Sequence, residues 1–144
     1  MYTLYSDEST VSTFVNSGRH RRYIESAKRV AEESEFPDYR HGALLVRGGS
    51  ILNSAYNKNS HIGWANRFRA KACGHATHHA ELGAILGVDR AKTSGADVYV
   101  VRIGRTGELK MSKPCQMCQS VLAHMGVKRV YYSINEKKVG CIKL

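Results

Sequence analysis

Between residues 19 and 34 the apolar side chains recur at helical spacing: Tyr23, Ile24, Ala27, Val30 and Ala31, with Lys28, Arg29, Glu32 and Glu33 on the other side. This pattern predicts an amphipathic helix that packs one face on a core. Phe36-Pro37-Asp38 ends it, because proline disfavours helix at the residue before it. Ala43-Leu44-Leu45-Val46-Arg47 then reads as a buried strand, Gly48-Gly49 as a turn, and Ser50-Ile51-Leu52-Asn53-Ser54-Ala55-Tyr56 as the hairpin partner. A polar stretch over 57–77 is too long for a simple turn, and long loops in compact domains are often functional. Residues 78–88 form a second predicted helix, with Ala80, Ala84, Ile85 and Val88 inward. A strand over 97–103 and a loop at Arg105-Thr106-Gly107-Glu108 follow. A third helix over 114–126 has Pro114 in its first turn and Gly126 at its C-terminal cap.

Strands are predicted over 128–134 and 139–144. Only Asn135-Glu136-Lys137-Lys138 separates them. A parallel pairing needs a crossover of about a dozen residues or more, so the two should form an antiparallel hairpin. Residues 1–18, rich in Ser and Thr, read as an arm or irregular lead-in before a domain over 19–144. The order of elements implies one sheet with helices on its faces.

The chain has 144 residues, which suits one domain with a single core. No apolar run approaches the ~20 residues of a membrane span. Met1-Tyr2-Thr3-Leu4-Tyr5-Ser6-Asp7-Glu8 has neither the basic nor the apolar part of a secretory signal, so a cytoplasmic location is expected. Cys73, Cys115, Cys118 and Cys141 then point to metal binding or free thiols rather than disulfides. The net charge of +10 attracts polyanions and phosphorylated small molecules, besides aiding solubility.

Two segments carry chemistry: His79-Ala80-Glu81 at the start of the second predicted helix, and Pro114-Cys115-Gln116-Met117-Cys118 at the start of the third. His-x-Glu followed by Pro-Cys-x-x-Cys is the signature of zinc deaminases that act on nucleobases. Cys115 and Cys118, at i and i+3, share one helix face, and helix N-termini favour thiolates. His79, Cys115 and Cys118 would make three zinc ligands and leave one position open, as in catalytic sites. Glu81 projects from the same turn as His79, placed for general acid–base work. A structural site would instead need a fourth ligand, for which Cys73, His75, His78 and Cys141 are available, but it would not explain Glu81. Cys141 and Met117 otherwise read as core filling.

On these residues the chain resembles the cytidine and deoxycytidylate deaminase superfamily. His41-Gly42-Ala43-Leu44-Leu45-Val46 with its turn and the strand to Asn57 is similar to the family's first hairpin. Gly126-Val127-Lys128-Arg129-Val130-Tyr131-Tyr132 is similar to its fourth strand. The resemblance implies a three-layer α/β/α cytidine deaminase-like fold, with a five-stranded mixed sheet whose last two strands run antiparallel. It also implies a zinc cofactor and a homo-oligomer. It assigns Asn57 to the sugar, the Ala80 N–H to the base carbonyl, and the carbonyls of Ser112 or Lys113 to the leaving amine. Trp64 and Phe68 become stacking groups, or else loop anchors.

A His rather than a Cys at position 79 favours the branch with deoxycytidylate, transfer-RNA adenosine and polynucleotide cytosine deaminases. The terminal hairpin is unlike the transfer-RNA and polynucleotide editors. The favoured expectation is hydrolytic deamination of a free cytosine nucleotide or nucleoside, deoxycytidine monophosphate (dCMP) first, with Arg67 and Arg69 on the phosphate. The alternative is a base within single-stranded DNA or RNA, with Trp64 and Phe68 stacking among Arg67, Arg69 and Lys71. A zinc-stabilised binding module without activity is the third reading, and Glu81 speaks against it.

Overall fold

The computed structural model describes residues 11–36, 38–61 and 77–144. Its elements run β1 (Val11–Val15), α1 (Gly18–Ala31), β2 (Arg40–Arg47), β3 (Ser50–Tyr56), β4 (Lys58–His61), β5 (Thr77–His78), α2 (Ala80–Ile85), α3 (Arg90–Thr93), β6 (Asp97–Ile103), β7 (Leu109–Lys110), α4 (Gln116–His124), β8 (Arg129–Ser133) and β9 (Lys138–Lys143).

The main sheet has the order β1-β9-β8-β6-β2-β3, with β7 paired to β6. Its central strands are apolar on both faces because helices cover both. From β2, Ala43 and Leu45 join a core with Val98, Val100, Val130 and the α2 and α4 side chains Leu82, Met117 and Leu122. Leu44 and Val46 point the other way, onto Ile24, Ala27 and Ala31 of α1. The molecule is therefore three layers, α1 on one side and α2 with α4 on the other.

The hairpin β2–β3 turns on two glycines with positive φ, Gly48 at 59° and Gly49 at 80°, and Arg47 pairs with Ser50. A two-residue loop with both φ positive matches the twist of the strands it joins. β6 and β8 are parallel, joined across α4. β8 and β9 are antiparallel, as the short connection requires. Asn135 closes that connection by accepting the N–H groups of Lys137 and Lys138 on its Oδ1.

The sheet has seven strands rather than the expected five. The five are present as β3, β2, β6, β8 and β9, and two short edge pieces are added. Val11–Val15, expected as part of an irregular lead-in, pairs antiparallel with β9 from Val11↔Ile142 to Val15↔Lys138. Leu109–Lys110 pairs with β6. The second helix covers 80–85 rather than 78–88, because His79 is already extended as its N-cap and Leu86 leaves helical geometry. Pro114 lies ahead of the N-cap Cys115, not in the first turn of α4. A short strand pair, β4 with β5, lies within the polar stretch. Among the described residues no helix is long and apolar enough to cross a membrane.

Candidate active site

The two helix starts meet on the α2–α4 face of the sheet. His79 is the N-cap of α2 and Cys115 the N-cap of α4, with Cys118 one turn further on. Their ligating atoms lie within 4.8 Å of one another. His79 Nδ1 is 3.2 Å from Cys118 Sγ and 4.0 Å from Cys115 Sγ. A tetrahedral zinc with ordinary Zn–N and Zn–S bonds holds its nitrogen and sulfur ligands roughly 3.5 Å apart, which these separations bracket. The donor set and spacing thus fit a zinc ion. Among the described residues no fourth His, Cys, Asp or Glu joins the group. Cys141 is instead buried in the α1-side core and Met117 in the α2–α4 core. Cys73 and His75 lie outside the described residues.

The charges of the metal-free cluster follow from this proximity. Cys115 is pushed down to about 4, first by the hydrogen bond from Cys118 and then by His79, against the opposing effect of burial. His79 is raised, chiefly by its bond to Cys115, with Glu81 adding to the effect. A cation bound here competes with the proton that the Cys115 thiolate favours on His79, so metal binding depends on pH.

A cleft of about 310 Å³ opens at the cluster. It is lined by His79, Glu81 and Cys115, by Ala80, Ser112 and Lys113, and by Phe36, Tyr39, His41, Asn57 and Lys58. Glu81 is 5% exposed, so its carboxylate works from within the protein. Ala80 begins α2, where the N–H groups of the first turn have no partner in the helix and are open to a ligand. Ser112 is buried. Its hydroxyl lies 3.0 Å from the Val100 carbonyl and 2.9 Å from Ser133 Oγ, and its N–H donates to the Ser133 carbonyl at 2.9 Å, so the residue braces the sheet and only its carbonyl is left for the cleft.

Asn57 shapes one wall. Its Oδ1 accepts from the His41 N–H at 2.9 Å and from Ser34 Oγ at 2.5 Å. Its Nδ2 donates to the Tyr39 carbonyl at 2.6 Å. An asparagine offers two N–H donors, so one remains for a ligand. Trp64, Arg67, Phe68 and Arg69 lie outside the described residues.

Four cleft residues, Phe36, Tyr39, His41 and Lys58, were not singled out by the sequence reading. Phe36 and Tyr39 flank Pro37, where only a helix end was legible. The Tyr39 ring is held by the Arg102 guanidinium 4.8 Å from its centroid. His41 follows on β2. The signal available for it was the alternation of that strand: Ala43 and Leu45 face the site side, and so does residue 41. Burial lowers the pKa of His41, with Arg102 and His79 adding, while Glu81 and the Tyr39 carbonyl act the other way.

Residues 17–134 match the model of a family described as "Cytidine and deoxycytidylate deaminase zinc-binding region". A tRNA-specific adenosine deaminase of Agrobacterium fabrum is 27% identical over 123 residues, covering 81% of this chain and 64% of that protein. The chain thus spans about two thirds of the length of that curated relative, just under that fraction. Among solved structures, RibD of Acinetobacter baumannii superposes with a TM-score of 0.51 at 16% identity, covering 79% of this chain and 27% of that one. A dCMP deaminase from the cyanophage S-TIM5 gives a TM-score of 0.49 at 23% identity, covering 78% and 79%.

Proposed function

Since the chain belongs to the cytidine and deoxycytidylate deaminase family, we propose that it hydrolyses the exocyclic amine of a free cytosine nucleotide, dCMP, to give the uracil nucleotide and ammonia. The observation that carries this reading is that two of the three zinc ligands, His79 and Cys115, line one cleft of about 310 Å³ together with Glu81 and two lysines. That volume is at the small end of ligand pockets and suits a single nucleotide.

Zinc held by His79, Cys115 and Cys118 supplies a nucleophile at neutral pH by lowering the pKa of water toward ~7. Glu81 takes a proton from the attacking water and passes it to N3 of the base. The water oxygen bonds to C4, the C4–N4 bond breaks, and Glu81 delivers the second proton to the departing amine. The Ala80 N–H donates to the base carbonyl. The carbonyl of Ser112 or Lys113 accepts from the departing amine. Phe36 and Tyr39 supply flat apolar walls for the base. Lys58 and Lys113 supply positive charge for a phosphate.

The second reading, a base within single-stranded nucleic acid, draws on the net charge of +10 and on the similarity to a tRNA-specific adenosine deaminase. A panel of dCMP, deoxycytidine and a cytosine-containing single strand separates the two, with ammonia release and ultraviolet absorbance as readouts. Turnover of dCMP with the highest kcat/KM is expected. Turnover of the strand alone would overturn the mononucleotide reading.

A further inference from the structure

His41 ends the site-side stripe of β2. On that face the strand runs His41, Ala43, Leu45, and the last two are core residues. The first lies where the sheet runs out into the cleft, which it lines. Directly across on β6 stands Arg102. A histidine at the end of an apolar stripe needs partners for both ring nitrogens, or a reason for lacking one. Nδ1 lies 3.3 Å from the Tyr39 carbonyl. A carbonyl only accepts, so Nδ1 carries the hydrogen, and a neutral imidazole then presents Nε2 as a bare acceptor. Among the described residues no donor is found for that nitrogen.

The ring is held in place from two sides. Its own backbone N–H donates to Asn57 Oδ1 at 2.9 Å. The same Tyr39 carbonyl that fixes Nδ1 also takes the Asn57 Nδ2 at 2.6 Å. The cleft wall therefore offers a bare nitrogen on His41, on the side of the ring turned away from the anchored Nδ1. A hydroxyl, which donates once, matches such an acceptor.

We propose that His41 Nε2 accepts a hydrogen bond from the 3′-hydroxyl of the substrate's sugar. The proposal rests on the dCMP reading above. Apart from the phosphate, dCMP carries two donors, the 4-amine and the 3′-hydroxyl. The amine is the group that leaves and must face Glu81 and the metal ligands, so the hydroxyl is the donor left for a fixed acceptor on the wall. His41 would thus select nucleotides with a free 3′-hydroxyl. A nucleotide inside a strand has that oxygen esterified and could not donate.

The test compares kcat/KM for dCMP and for 2′,3′-dideoxycytidine 5′-monophosphate, on the zinc-loaded wild type and on His41→Phe and His41→Gln. An acceptor left unpaired once the substrate covers it is costly, so the wild type should favour dCMP by about tenfold or more. His41→Phe should reduce that preference at least about fivefold, with zinc content unchanged, and His41→Gln, which can still accept, should restore part of it. A wild-type preference near one overturns the proposal without any variant. A preference that persists in His41→Phe, or in His41→Gln and an apolar His41→Leu should His41→Phe be insoluble, overturns it as well. If the wild type turns over neither nucleotide, the dCMP reading falls and this proposal with it. That outcome is distinct from turnover with an unchanged preference, which removes His41's role alone.

Discussion

Glu81 and Cys115 line the same cleft, yet their replacement should leave different traces. Glu81 is not among the metal-ligating atoms, so Glu81→Gln should keep stoichiometric zinc and lose about 10²–10⁴-fold in kcat. Elemental analysis beside steady-state kinetics checks this, and full activity would remove Glu81 from the proton path. Cys115→Ser should lower zinc content and melting temperature together, because ligand loss removes folding energy as well as chemistry.

The metal-free protein makes a further prediction. The folded state holds the Cys115 thiol down to about 4, whereas burial raises Cys141. Stability from the Cys115 thiolate is complete above the ordinary thiol pKa, and it is lost as pH falls through the folded value near 4. At pH 6 the chelated protein should therefore be alkylated by iodoacetamide at Cys115 and not at Cys141, and added zinc should protect. Peptide mass spectrometry reads the site, and equal labelling of both cysteines would contradict the assignment.

The ligands and Glu81 were legible because two short local spacings decide them. His41, Tyr39 and Phe36 were not, because the sheet pleat and the connection from α1 to β2 bring them to the cleft. Asn57 was legible as a cleft residue, but its amide is largely occupied by Tyr39, His41 and Ser34.

Among the elements, α1 and β2 pack closely at Gly42. A Cβ on Gly42 would meet the Ala27 carbonyl oxygen at 2.2 Å and the Ala31 nitrogen at 2.6 Å, both backbone atoms of α1. The helix cannot yield to a methyl there without rising off the sheet. Gly42→Ala should destabilise by about 2–3 kcal/mol, lowering Tm by roughly 5–10 °C. Thermal unfolding measures this, and an unchanged Tm would mean that the packing is looser than described.

The spacing of Ala27 and Ala31 on α1 announces a helix that comes close to a sheet, and the Gly48–Gly49 turn fixes the hairpin. Those two features made the first half of the fold readable. The edges were less so. Val11–Val15 has no alternation to mark it, with all but Val11 exposed, and it becomes a strand because β9 offers it a free edge. The second helix reads longer than it is because Val88 continues the apolar spacing, while the backbone has already turned at Leu86.

For the whole molecule, the three layers follow from strands that are apolar on both faces, which the runs at 43–46 and 98–101 display directly. What such runs cannot convey is how the net charge of +10 is used. A mononucleotide presents one phosphate to Lys58, Lys113 and the general field of the protein, whereas a strand would engage many cations along its backbone. The two substrates therefore differ in salt dependence, since each neutralised phosphate adds to the logarithmic slope. Between 50 and 200 mM salt, kcat/KM for dCMP should fall by roughly fourfold, as for about one phosphate, while a strand held by several phosphates would lose about a hundredfold or more. Measuring both slopes on one zinc-loaded preparation tests the function at the level where charge acts. A dCMP slope as steep as a strand's would mean that the cleft engages several phosphates rather than the single one of a free nucleotide. With a shallow dCMP slope and a weak, steep response to the strand, the excess charge works as a steering field around a site built for one nucleotide.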